Sequence, residues 1–178
     1  MPASWSRAQR SLHWWHALLI LFAFPIAWVM AAVPLEQLLL KFILFQIHKT
    51  LGLLALGVAL ARLGLRLTHG RPRWDPGLSD WQRRAAAGLH LALYVLFLAV
   101  PVLGYLVACT APLQIPTLFL GFIPVPALLG MNKELFLLLF AAHRLAAIAL
   151  VVLAAGHALA AVHNQVHGRP VLARMWSG

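Results

Sequence analysis

Charge is scarce in this chain, and negative charge scarcer still. Only 10% of the 178 residues are charged, with four acidic side chains against fourteen Lys and Arg. A soluble domain carries about 25%. With 62% hydrophobic residues and a mean hydropathy of +0.85, the composition excludes a water-soluble globule and indicates an integral membrane protein. Cysteine is nearly missing as well. A lone Cys109 excludes an internal disulfide and clusters built on several thiolates. The apolar runs offer no Asp or Glu in their interiors, which disfavours zinc. The formal charge of +10 does not point to nucleic acid, because the arginines fall between apolar runs, where they set topology.

What the chain does have is four apolar runs long enough for a hydrocarbon core of ~30 Å. They cover about 13–33, 38–63, 86–109 and 134–162. The expected fold is all-α, a four-helix bundle in the membrane formed by one domain over 1–178. Trp14 and Trp15 open the first run as interfacial aromatics. Pro25 is expected to kink it, and Pro34 and Glu36 to turn the chain into the second. A polar linker over 66–84 holds Arg66, Arg71, Arg73, Arg83 and Arg84 with Gly70, Pro72, Pro76 and Gly77. Residues 110–133 are apolar but broken by Pro112, Pro116, Gly121, Pro124, Pro126 and Gly130, and read as a surface loop on the outer face.

Four spans put both termini on one side. Ten of the fourteen Lys and Arg lie in the N-terminal arm, the 62–84 segment and the tail. That side is cytoplasmic by the positive-inside rule.

The histidines follow this topology. His143 and His157 are fourteen residues apart on the fourth span, about four turns and ~21 Å, so both rings share one face near opposite membrane surfaces. His48 lies about ten residues inside the second span and His13 opens the first. Sorted by depth, His48 joins His143 in an outer pair and His13 joins His157 in an inner pair. Intramembrane histidines are costly and mark function. Two facing imidazoles in a four-helix core suit bis-histidine ligation of haem b, so two haem b are expected, with Gly52 one turn after His48 making room for a flat macrocycle. His16 is an alternative inner ligand. His90 and His163 could ligate, bond a haem propionate or bind a quinone carbonyl, with Arg62 a further quinone contact at that end. Lys49 and Arg144 directly follow the outer histidines. They either neutralise propionates or snorkel to the interface.

These residues resemble the bacterial cytochrome b561 family, standalone four-helix di-haem cytochromes linked to quinone. The resemblance runs through Ser6-Arg7, Ser11-Leu12-His13-Trp14, Ile47-His48 with Gly52, and Arg62 with Arg66. It continues through His90-Leu91-Ala92-Leu93-Tyr94, Pro101-Val102-Leu103-Gly104, and His143 to His157 with His163 beyond. It implies His48 and His143 on an outer haem, His13 and His157 on an inner haem, and ubiquinone reacting near the inner one. It further implies residence in the bacterial inner membrane and, by similarity to a superoxide oxidase, superoxide as the outer donor. Lys49 and Arg144 are then the candidate catalytic residues, with Lys41 and Lys133 adding charge to steer the anion.

Two rivals remain at this stage. One is a haem b anchor subunit relaying electrons from a soluble redox partner of the hydrogenase or formate dehydrogenase type, motivated by the apolar, nearly uncharged 110–133 loop. The other is a haem-less bundle whose histidines carry protons. The orientation is open to a direct test. A C-terminal fluorescent-protein fusion should glow and a C-terminal alkaline phosphatase fusion should be inactive; the reverse pattern overturns the assignment.

Overall fold

The computed structural model describes residues 5–72, 77–169 and 171–176, so Arg73 and Pro76 of the polar linker lie outside the described residues. In chain order come α1 (Arg7–Ala32), a 3-10 turn (Leu35–Gln37), α2 (Leu38–His69), α3 (Asp80–Thr110), β1 (Thr117–Phe119), β2 (Ile123–Val125), α4 (Lys133–Val166) and α5 (Ala173–Trp176). The four long helices have the length and hydropathy to cross a membrane.

Three of the four long helices begin where a side chain satisfies their first N–H groups, while α2 follows directly from the 3-10 turn. Ser6 with Gln9, and Ser79 with Gln82, form reciprocal capping boxes. The Asn132 side chain accepts from the Leu135 amide at the head of α4. α1 stops at the residue before Pro34, and α2 stops at Gly70, whose φ of 69° suits glycine. All four helices overrun the runs read from hydropathy. The second reaches His69 instead of Leu63, and the third starts at Asp80 instead of Ala86. Capping, rather than the edge of the apolar run, decides these boundaries.

α1 packs on α2 and α3 on α4 as two helical hairpins, and α2 joins them by packing on α3. Midway along the bundle Ala59, Leu93, Phe97 and Leu150 form a buried cluster ringed by Ile20, Leu89, Leu96, Val100, Leu153 and Ala154. Every long helix contributes to it. At one end α1 meets α5: Trp14 donates its indole N–H to the Met175 carbonyl at 3.0 Å and packs edge-on against Trp176.

The opposite end corrects the sequence reading. The 110–133 segment is not simply a surface loop; it contains a β-hairpin in which Thr117 pairs with Val125, Leu118 with Pro124 and Phe119 with Ile123. The hairpin turns through 120–122, with φ of 55° at Leu120 and 85° at Gly121. A leucine in this left-handed region costs ~1–2 kcal/mol, so the turn is held by its surroundings rather than by residue preference. β1 lies against α2, where Gln46, Lys49 and Thr50 bond its backbone.

Candidate haem-binding centres

At the hairpin end, α2 presents His48 to His143 of α4, with ring centroids 6.3 Å apart and planes at 80°. This separation would leave room for one metal ion between the two rings, given metal–nitrogen bonds of ~2.0–2.1 Å. The remaining nitrogens are already employed. Nδ1 of His48 lies 3.1 Å from the Ala23 carbonyl and Nδ1 of His143 lies 2.9 Å from the Val100 carbonyl. A carbonyl only accepts, so both rings carry their proton on Nδ1 and keep the Nε2 lone pair for a ligand, the arrangement that orients metal-binding histidines. Both acceptors sit beside a helix proline, Ala23 two residues before Pro25 and Val100 directly before Pro101.

Two glycines shape this centre differently. A Cβ on Gly104 would lie 2.9 Å from Cε1 and 3.3 Å from Nδ1 of His143, whereas a Cβ on Gly52 would meet nothing within 4 Å. Gly104 is thus the seat of the His143 ring, a role hidden in the sequence because it depends on how α3 meets α4. Gly52 leaves open space one turn from His48.

At the terminal end, α1 and α4 bring His13 and His157 to 6.2 Å, planes at 64°. This spacing suits a shared metal too, but the neighbourhood is more crowded. His90 of α3 also faces His157, at 5.3 Å. Arg62 of α2 reaches across with both arms, one nitrogen 3.0 Å from His16 Nδ1 and the other 3.3 Å from His13 Nδ1. Its guanidinium stacks over Tyr94 at 5.6 Å and Phe97 at 5.3 Å. Arginine only donates, so in this arrangement both Nδ1 atoms accept. For His13 to offer Nε2 to a metal, its proton must move to Nδ1 and the longer arm of Arg62 must let go. His16 keeps the shorter arm and packs on Phe97 at 4.2 Å. Only 1% exposed, it belongs to Arg62 and not to a facing histidine. Its place one turn from His13 put it on the same face, but the partner came from another helix.

The remaining candidates separate. His163 stacks on His167 at 4.1 Å on the exposed end of α4. Lys49 donates to the Ile115 and Pro116 carbonyls at 3.0 and 3.4 Å, fastening the hairpin. Arg144 is exposed beside His143. The donor set at both levels consists of imidazole nitrogens from two different helices, His48 with His143 and His13 with His157, a set that would suit holding haem b iron. Replacing Gly104 by Ala should push the His143 ring off its seat. The expected result is loss of one bis-imidazole haem signal in low-temperature optical spectra while helical circular dichroism is retained; an unchanged spectrum would show that the ring has room to yield.

The family model described as prokaryotic cytochrome b561 matches residues 4–178. Among curated proteins, the chain is 30% identical over 176 residues to Cytochrome b561 homolog 1 of Escherichia coli (strain K12), covering 96% of this chain and 95% of that protein. The matched range spans all four long helices. The chain belongs to the prokaryotic cytochrome b561 family of membrane cytochromes, in which haem b carries electrons.

Proposed function

We propose that the chain is a di-haem b cytochrome moving electrons across the bacterial inner membrane, from a donor at the hairpin end to ubiquinone at the terminal end. The observation that carries this reading is the His48–His143 pair, spaced for a shared metal with both Nδ1 atoms on backbone carbonyls. His13 and His157 are the proposed second axial pair, on their 6.2 Å separation. Haem iron, when held by such imidazoles, supplies one-electron transfer. Along α4 the two levels lie ~21 Å apart, a distance that traverses most of a hydrocarbon core of ~30 Å.

The chain's own residues do the rest. The carbonyls of Ala23 and Val100 fix the ring orientation of the outer pair, and Gly104 sets the depth of His143. On the terminal side, which we assign to the cytoplasm from the arginine distribution, Arg62 and His90 border His157 and His13. There they are the proposed contacts for a quinone carbonyl, with His163 further along α4. The donor we assign is superoxide, from the resemblance and from the cations Lys41, Lys49, Lys133 and Arg144 at the hairpin end. Two superoxide anions, one quinone and two protons then give two dioxygen and one quinol.

Two measurements test this. A pyridine haemochrome assay should find about two haem b per chain. His48→Leu or His143→Leu should remove one of them, and His13→Leu or His157→Leu the other. Retention of both haems in any of the four variants overturns that residue's assignment. With ubiquinone present, superoxide should drive quinol formation that dismutase abolishes. Haem that stays oxidised under a superoxide flux sinks this donor while leaving the ligands standing.

A further inference from the structure

Residues 110–132 contain no charged side chain, yet the hairpin they form lies well down the side of the bundle. Along α2, β1 is bonded at the level of Gln46 to Thr50, about 12–18 Å along the helix from its start at Leu38. The helix surface beyond that level is not built for water. Leu38, Leu39, Leu40, Phe42 and Ile43 are exposed large apolar side chains, Leu39 at 74%. A membrane boundary at Thr50 would strand that patch in solvent, contrary to the usual limit on exposed apolar area. Lys41 and Arg62, by contrast, are separated by ~31 Å along α2, close to the ~30 Å hydrocarbon thickness.

The strand edges show the same adaptation. An edge strand at a wet surface leaves its polar groups to water; here side chains take them. On the β1 side the Leu118 amide donates to Gln46 Oε1 at 2.9 Å and the Leu120 amide to Thr50 Oγ1 at 3.1 Å. The Pro116 carbonyl accepts from Gln46 at 2.9 Å, and Lys49 serves the Ile115 carbonyl. Around β2, Pro124 and Pro126 have no amide to satisfy. The Tyr105 hydroxyl donates to the Pro126 carbonyl at 2.7 Å and its oxygen accepts from the Leu128 amide at 3.2 Å. Such accounting is what a non-helical segment needs at membrane depth.

The direction of the strand completes the picture. β1 advances from Gln46 toward Thr50 as it runs from Leu118 to Leu120, so the turn points toward the bilayer interior. At that turn stand Leu120 and Phe122, 52% and 72% exposed, where turn chemistry would favour Asn or Asp.

We propose that residues 115–128 form a re-entrant β-hairpin inserted in the lipid leaflet at the non-terminal end, with Leu120, Phe122 and Ile123 in contact with acyl chains. The test needs no cofactor and does not depend on the proposed redox reaction. A nitroxide on Phe122→Cys, in a Cys109→Ala background reconstituted in phosphatidylcholine nanodiscs, should collide severalfold more with dissolved oxygen than with a water-soluble nickel chelate. It should match a label at Ile43→Cys, an exposed α2 position between Lys41 and Arg62, and oppose one at Lys133→Cys. A label quenched by the chelate places the hairpin in water and overturns the proposal. A label reached by neither places it against protein, and overturns it equally. As a check on the wild-type chain, a phospholipid with a diazirine in its acyl chain should leave adducts within 120–123. Adducts at 38–43 but none in the hairpin would overturn it.

Discussion

Hydrocarbon offers no hydrogen bonds, and nearly every polar contact in this protein answers that fact. The four long helices settle most backbone groups internally. What the helices leave over is met by specific side chains. Thr110, fully buried at the hairpin end of α3, returns its hydroxyl to the Leu106 carbonyl at 2.9 Å. Buried Gln9 donates to the carbonyls of Leu65 and Gly70, closing the terminal end of α2. His48 and His143 each spend Nδ1 on a helix carbonyl, and that bond leaves Nε2 as the nitrogen with a lone pair to offer. Structural satisfaction and ligand geometry are here the same bond.

The two histidine levels are electrostatically unlike. Among the described residues no arginine or lysine bonds either ring of the His48–His143 pair; the Nδ1 atoms rest on neutral carbonyls. The other level holds the Arg62 guanidinium, stacked on two aromatic faces and touching His13 and His16. A fixed positive charge in a low-dielectric interior favours the reduced state of a neighbouring redox group. On the proposed reading this tilts electrons toward the end where quinone would take them.

The coarse architecture was legible in the sequence because its causes are local. Hydropathy marks the spans, and the fourteen-residue interval from His143 to His157 puts both rings on one face of a helix. The overrun of α3 to Asp80 could also have been read, since Ser79 followed by Gln82 is a capping box in plain view. The hairpin was hidden for a physical reason. Three-residue strands are too short to show alternation, and a leucine at positive φ contradicts the usual turn signal. The seat that Gly104 makes for His143, and the fork from Arg62 to His13 and His16, depend on how helices rotate against one another. Spacing along one helix carries no record of that.

The distribution of the facing rings also bears on how such a chain is made. His13 and His48 lie on the first helical hairpin, and both of their counterparts, His143 and His157, lie on α4. While a ribosome delivers the chain in order, the first two spans enter the bilayer with two imidazoles and no counterpart for either. Both pairs close together, and only when the last span arrives. A nascent chain halted before α4 therefore holds neither pair, which makes the final insertion step a single gate for both of the proposed centres.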